Sequence, residues 1–122
     1  MYTQSVSRIL IVEDDSRLCR TLHLALAAHG YEITDAADGK EALIAFASGT
    51  QELIVLDWQL PEPGGIQTCR ALRAVSAVPI LMISGNRSNT RAVALEAGAT
   101  GYLPKPFSVD ELLAFIKATL GS

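Results

Sequence analysis

The chain has 122 residues, the usual size of one domain, and 49% of them are hydrophobic. This composition supplies one core and argues against disorder. The formal net charge of −3 predicts no nucleic-acid-binding or membrane-binding surface. No apolar run approaches the ~20 residues that span a bilayer, and none near the N-terminus has signal-peptide length. Cys19 and Cys69 lie in predicted helices without a CxxC spacing, so we expect free thiols and a cytoplasmic location.

Strand and helix patterns alternate along the chain. Five short stretches, of which the first, third and fourth are apolar runs, predict strands at residues 9–12, 31–36, 53–57, 79–83 and 100–103. Between and after them, helical patterns are predicted at residues 16–29, 38–47, 66–74, 88–97 and 108–120. Because no linker interrupts this alternation, we predict a single domain over residues 1–122. Its class is α/β, a (βα)₅ doubly wound, flavodoxin-like parallel sheet with strand order 2-1-3-4-5.

Polar residues at the helix starts predict N-caps. The capping candidates are Asp15 or Ser16, Asp38 with Glu41, Ser88 with Asn89, and Ser108 with Glu111. The fourth helix is rich in alanine and its apolar stripe is weak, so we expect it to pack less firmly than the others. His23 and His29, in the first helix, are expected at solvated or edge positions rather than as metal ligands.

Residues 53–57 form an apolar run that ends in Asp57. A run without polar alternation is typical of a strand buried on both faces. Asp57 therefore falls at the carboxyl end of a central strand, the edge where open parallel sheets bind ligands. The alternative is an aspartate that only begins a turn.

Other polar residues follow the neighbouring strands at the same edge. Glu13 and Asp14 follow the first strand, Ser84 ends the fourth, and Lys105 follows the fifth. Carboxylates that lie close together repel one another, and a divalent cation bound by oxygen ligands, Mg²⁺ or Mn²⁺, would explain the cluster. A metal, a lysine and a hydroxyl suit phosphoryl transfer, and Asp57 could itself be the nucleophile.

Four motifs occur in order at the ends of the predicted strands. They are Ile11-Val12-Glu13-Asp14-Asp15, Leu56-Asp57 with Leu60-Pro61 and Gly65, Ile83-Ser84-Gly85, and Gly101-Tyr102-Leu103-Pro104-Lys105-Pro106-Phe107. In these motifs the chain resembles the receiver domain of bacterial two-component response regulators, over essentially its whole length. Three alternatives are a flavodoxin-like module for FMN or a nucleotide, a Mg²⁺-dependent phosphatase, and a receiver that works without phosphorylation.

The resemblance implies a role for each site residue. Asp57 would be the phosphoacceptor for a sensor histidine kinase or phosphotransfer protein and a metal ligand. Asp14 would bind Mg²⁺ directly, Glu13 through water, and Gln59 through its backbone carbonyl. Lys105 would contact the phosphoryl group. Such a domain catalyses only its own phosphorylation and dephosphorylation.

The resemblance also implies a conformational switch. Ser84 would move toward the phosphoryl group and Tyr102 would turn inward, which would change the surface of helix 4, strand 5 and helix 5. This surface would control an output domain, such as one for transcription, or a partner protein. The bond between Lys105 and Pro106 would be cis. Residues that could tune phosphate lifetime are Gln59, Gly85 and Asn86.

The motif around Asp57-Trp58 resembles the winged-helix OmpR/PhoB branch, in which receivers pair through charges on the helix 4, strand 5 and helix 5 face. Here Thr100, Gly101 and Phe115 occupy positions where that branch carries the charges. The charged contacts of that branch are therefore not expected here, and a homodimer through this face would have to form without them. Phe115, about 100° from the buried stripe of its helix, could instead be the centre of an apolar partner surface, or an isolated surface aromatic. Trp58 is expected to be a lid or surface residue beside the site.

Overall fold

The computed structural model describes residues 6–121, apart from the side chain of Ser48. Its five strands are β1 (Arg8–Val12), β2 (Glu32–Ala36), β3 (Leu53–Asp57), β4 (Ile80–Ser84) and β5 (Gly101–Pro104). Its five helices are α1 (Ser16–Ala28), α2 (Gly39–Ser48), α3 (Gly65–Val75), α4 (Arg91–Glu96) and α5 (Val109–Leu120). Strands and helices alternate throughout this part of the chain, as predicted.

All four strand pairings are parallel, in the order β2-β1-β3-β4-β5, which confirms the predicted topology. The order reverses direction between β1 and β3, because the first crossover leads to one side of β1 and the later ones to the other. The register places Val12 beside Leu56 and Ser84 beside Pro104. The carboxyl ends of these four strands therefore lie at one edge.

The core consists of two layers, one on each face of the sheet. Side chains such as Leu10 and Ile54 pack on one face together with α2 and α3, whereas Ile11 and Val55 pack on the other with α1 and α5. All residues of β3 and β4 are buried. Because both faces are covered, these strands need no polar alternation, which explains the apolar runs in the sequence.

Three of the predicted helix caps are confirmed. The Asp15 side chain accepts hydrogen bonds from the backbone N–H groups of the first turn of α1, so Asp15 and not Ser16 is its cap. Asp38 caps α2 by accepting a hydrogen bond from the backbone of Glu41. Ser108 and Glu111 form a reciprocal capping box at the start of α5. Each cap satisfies backbone donors that a helix leaves unpaired.

The predicted start of α4 is wrong. Thr90 is the N-cap, with its hydroxyl accepting from the backbone of Val93 at 3.3 Å, and the helix has only six residues. Ser88 lies instead in a turn before the helix, where its backbone N–H donates to the Asn86 side chain at 2.9 Å. Ala94 is the buried residue of α4, which agrees with the expected weak packing.

Both cysteines are buried free thiols, as expected. Burial raises the pKa of Cys19 to about 11, with the Asp35 carboxylate contributing further, and burial also raises the pKa of Cys69. Thiols with raised pKa values are poor nucleophiles and poor metal ligands, so their role is packing. Among the described residues, the helices are too short or too polar to cross a membrane.

Candidate functional site

Three carboxylates meet where β1 and β3 end. Oxygen atoms of Glu13, Asp14 and Asp57 lie within 4.8 Å of one another. Glu13 and Asp57 are each only 2% exposed, whereas Asp14 is exposed. The adjacency of β1 and β3 in the sheet brings these residues together, as the predicted topology required.

Gly65 brings the chain after β3 back to the site. Its backbone N–H donates to the carbonyl of Trp58 at 3.0 Å. A Cβ atom at this position would lie 2.5 Å from the Cα atom of Trp58 and would also overlap the carbonyl oxygen of Asp57. Because these are backbone atoms, they cannot move aside, and the turn after Asp57 therefore requires glycine.

Lys105 reaches the carboxylates from the other side of the sheet edge. Its Nζ atom lies 3.2 Å from Oε1 of Glu13 and 3.6 Å from Oδ1 of Asp57. The backbone N–H of Lys105 donates to the carbonyl of Ser84 at 2.7 Å, which fixes its place beside β4. The Lys105–Pro106 bond is cis, as the resemblance implied, and so is the Glu62–Pro63 bond.

The carboxylates are not fully neutralised by Lys105. The pKa of Glu13 is raised to about 7, first because the side chain is buried, and then by its hydrogen bond to Asp57 and the charge of that residue. The backbone N–H of Asp15 and the Lys105 ammonium lower the pKa of Glu13, but their effect is smaller than the sum of the others. When all three carboxylates of the site are ionised, they carry more negative charge than the single Lys105 ammonium balances.

This donor set fits a hard divalent cation. Within the part of the chain that the structure describes, Glu13, Asp14 and Asp57 are the one group of three acidic, histidine or cysteine side chains close enough to share an ion. The donors are all oxygen, which suits Mg²⁺ or Mn²⁺. Gln59 lies next to them, with its backbone N–H donating to Oδ1 of Asp57 at 3.2 Å. Metal ligation by its carbonyl stays a prediction.

Ser84 lies at the end of β4 and is only 1% exposed. Its Oγ atom accepts hydrogen bonds from the backbone N–H of Asn86 at 3.1 Å and from Nδ2 of Asn89 at 2.7 Å. The Gln59 side chain faces the same hydroxyl, since its Oε1 lies 3.5 Å from Ser84 Oγ and accepts from the backbone of Gly85 at 3.0 Å. Ser84, Gln59, Gly85 and Asn86, all predicted site residues, therefore lie together.

Tyr102 lies in β5, half-buried, with its hydroxyl donating to the carbonyl of Asn89 at 3.3 Å. Its ring meets the ring of Trp58 edge to face, with centroids 5.9 Å apart and an angle of 82° between the planes. Such an arrangement is favourable for aromatic pairs. Trp58, expected as a lid or surface residue, thus supports Tyr102 beside the site.

Asn89 is the site residue that sequence reasoning assigned to the wrong role. The pattern Ser88-Asn89 indicated a helix cap, but the Asn89 side chain contacts Ser84 instead. Its position in the short loop between Ser84 and α4 could have indicated a contact with the end of β4. The sequence could not show which of several polar loop residues turns inward.

Phe115 is half-buried and packs against the core layer that includes Ile83 and Leu113. Its ring fills the space above Gly101, where a Cβ atom would lie 2.9 Å from Cζ of the ring. Two residues that depart from the charged pattern of the OmpR/PhoB branch are therefore in contact with each other. A partner surface around Phe115 stays a prediction.

The two histidines agree with the expected edge positions. Nδ1 of His23 lies 2.9 Å from each carboxylate oxygen of Asp35, and Nδ1 of His29 lies 2.9 Å from the carbonyl of Ala25. An open groove of about 500 Å³ runs along α1 from Asp14 to His23.

Comparison with known proteins identifies the class. The family model of the response regulator receiver domain matches residues 9–117, so the chain belongs to that family. It is 43% identical over 115 residues to response regulator MprA of Mycolicibacterium vanbaalenii, covering 93% of this chain and 50% of that protein. The chain thus spans about half the length of the curated relatives it matches. Family membership sets aside the flavin-binding and phosphatase alternatives.

Solved structures agree with this assignment. A CheY-like receiver domain protein from Methanospirillum hungatei JF-1 has a TM-score of 0.89 at 30% identity, covering 96% of this chain and 95% of that one. The receiver domain of sensor histidine kinase PA1611 from Pseudomonas aeruginosa PAO1 has a TM-score of 0.88 at 31% identity, covering 97% of this chain and all of that one. Its description includes a magnesium ion coordinated in the active site cleft.

Proposed function

We propose that Asp57 is the phosphoacceptor of this two-component receiver domain, that the donor is a sensor histidine kinase or a phosphotransfer protein, and that the reaction requires Mg²⁺. The observation that carries this proposal is the placement of Lys105 within 4 Å of both Glu13 and Asp57 at a buried site with excess negative charge. A buried aspartate among metal-binding carboxylates can attack a phosphoryl group.

Each residue has a distinct task. Asp57 supplies the attacking carboxylate oxygen, and Lys105 holds a phosphoryl oxygen by a charge-assisted hydrogen bond. The Ser84 hydroxyl can donate to another phosphoryl oxygen. Glu13 and Asp14 would hold the divalent cation, together with Asp57 and the Gln59 carbonyl. When bound, this cation neutralises charge that develops on the phosphoryl oxygens.

The domain acts on itself rather than turning over a substrate. The products of its chemistry are its own phosphorylated and dephosphorylated forms. The Gln59 side chain accepts from the backbone of Gly85, and Asn86 follows Gly85 in the same loop, so both lie where they can influence the approach of water. They are therefore the residues we assign to tuning the phosphate lifetime, with Gly85 leaving room for the phosphoryl group.

The signal would leave through the face formed by α4, β5 and α5. Tyr102 lies on this face and is linked to Ser84 through Asn89. We propose that residues 1–122 form the receiver unit of a transcription regulator, because the curated relatives are about twice as long as the matched region. The receiver itself would not contact nucleic acid or a membrane. Two free thiols agree with a reducing compartment such as the cytoplasm.

Acetyl phosphate with Mg²⁺ tests the proposal directly. The parent protein should gain one phosphoryl group by intact mass. Asp57→Asn and removal of Mg²⁺ with a chelator should each abolish the gain. Asp110→Asn, at an exposed acid in the first turn of α5, is the matched control and should be phosphorylated like the parent. A parent protein that gains no mass would contradict the proposal.

A further inference from the structure

Asn89 contacts both Ser84 and Tyr102, and it does so through different groups. Its side-chain Nδ2 donates to the Ser84 hydroxyl at 2.7 Å, and its backbone carbonyl accepts from the Tyr102 hydroxyl at 3.3 Å. Asn89 is half-buried in the loop between β4 and α4. No hydrogen bond of the described residues joins Ser84 to Tyr102 directly, so the polar connection between them passes through this residue.

The Ser84 hydroxyl can bind a phosphoryl group without releasing Asn89. A serine hydroxyl has one hydrogen to donate and two lone pairs to accept. Asn86 N–H and Asn89 Nδ2 occupy the acceptor positions. The hydrogen faces Gln59 Oε1 at 3.5 Å, the outer limit of a hydrogen bond, and so is only weakly engaged. It can turn to a phosphoryl oxygen on Asp57 while the bond to Asn89 persists.

The two contacts of Asn89 differ in strength. The bond to Ser84 is short and lies beside a hydroxyl that is almost fully buried, whereas the bond from Tyr102 is long. If Ser84 is displaced toward Asp57, the Asn89 side chain would follow it, and the longer bond from Tyr102 would be the one to break. The ring of Tyr102 then loses the acceptor that holds its hydroxyl at this position.

We propose that Asn89 is a positioning residue that transmits the displacement of Ser84 to Tyr102 by this pair of hydrogen bonds. The inference rests on the proposed function, because it takes phosphorylation of Asp57 as the event that moves Ser84. Asn86, the other asparagine of the loop, has a different place. It contacts Ser84 through its backbone, and its side chain accepts from the backbone of Ser88.

The Tyr102 ring can be observed by NMR after incorporation of ¹³C-labelled tyrosine. The chain has three tyrosines, and the signal of Tyr102 is identified by its loss in Tyr102→Phe. The displacement of this signal on adding acetyl phosphate and Mg²⁺ is measured for the parent, Asn89→Ala, Asn89→Leu and Arg87→Ala. Intact mass of the same samples reports phosphorylation. Arg87 is an exposed residue of the same loop and provides the control.

In both Asn89 variants the protein should still gain one phosphoryl group, because Asp57 and Lys105 are unchanged. The displacement of the Tyr102 signal should fall about two-fold or more in both, and Arg87→Ala should retain it. Leucine keeps the bulk of asparagine but has no N–H, so a loss seen with alanine alone would overturn the hydrogen-bond assignment. A full displacement in phosphorylated Asn89→Ala would overturn the inference and leave the proposed function intact. Absence of phosphorylation in the parent would instead overturn the proposed function.

Discussion

The two edges of the sheet differ in how their charged side chains are balanced. At the carboxyl edge, buried Glu13 and Asp57 are close enough to repel, and one Lys105 serves both. At the amino edge, the cation of Arg73 is surrounded by neutral oxygen acceptors. The first arrangement has unbalanced charge that a ligand can relieve, whereas the second has its hydrogen bonds already made.

Arg73 joins three segments at the amino edge. Its Nε donates to the carbonyl of Gly98 at 2.8 Å, and its Nη1 donates to the carbonyls of Ser76 at 3.0 Å and Val78 at 2.7 Å. Gly98 has a φ of +110°, and its Cα lies under the Arg73 side chain, where a Cβ would lie 2.8 Å from Cγ. The loop before β5 is thus held against the end of α3.

The contrast explains the position of α4. Its C-terminal end leads through Gly98 into the Arg73 contacts, while its N-terminal end follows Asn89 and the hydrogen bonds around Ser84. The six residues of α4 therefore connect a loop held by Arg73 at the amino edge to the hydrogen bonds around Ser84 at the carboxyl edge. We expect the amino edge to contribute mainly to stability and the carboxyl edge to respond to a ligand.

Arg73→Ala should have the largest effect on stability. Three carbonyl groups would lose their donor, and we expect the unfolding free energy to fall by about 2–3 kcal/mol. Urea denaturation measures this. Arg70→Ala, an exposed arginine on the same helix, should change the value by less than about 0.5 kcal/mol. Phosphorylation by acetyl phosphate should persist in both variants. If Arg73→Ala is still folded but no longer gains a phosphoryl group, the division between the two edges is contradicted.

Glu13 should make the metal-free protein less stable as the pH rises. Its pKa is raised in the folded state from 4.5 to about 7, so folding favours the protonated form. This contribution is complete below pH 4.5 and is lost as the pH rises through about 7, a decrease of about 1–3 kcal/mol in unfolding free energy.

The measurement compares urea denaturation of the parent and Glu13→Gln between pH 5 and pH 8 in the presence of a chelator. The difference between the two proteins removes the contributions of other titrating groups, the histidines included. Saturating Mg²⁺ should reduce the loss, because the cation competes with the proton for the carboxylates. Equal pH dependence in the two proteins would show that the pKa of Glu13 is not raised in the folded protein.

Gly101→Ala should have the smallest effect. The new Cβ would overlap the ring of Phe115, but a ring can shift, so we expect a loss of about 1 kcal/mol. Adding Phe115→Leu should recover part of that loss, and a double-mutant cycle by urea denaturation measures the coupling. Additive effects would place the ring away from Gly101 in solution and would favour Phe115 as a surface residue.

Much of the domain follows from local sequence signals. Apolar runs predict the buried strands, because a strand covered on both faces has no solvent-exposed face that would require polar residues. Asp38, Ser108 and Glu111 predict helix starts because a cap acts within one turn of its helix. The convergence of Asp57 and Lys105 also follows, since parallel strands end at a common edge.

The tertiary structure alone decided which partner a side chain contacts when the sequence allows several. Asn89 had the chemistry of a helix cap, and only the distance to Ser84 across the loop shows that its amide turns inward. Phe115 faced away from the stripe of α5, and only the missing side chain of Gly101 on another element gives its ring a place. In both cases the partner is distant in sequence or belongs to a different element. The periodicity of one segment carries no information about such a partner, whereas the packed sheet determines it.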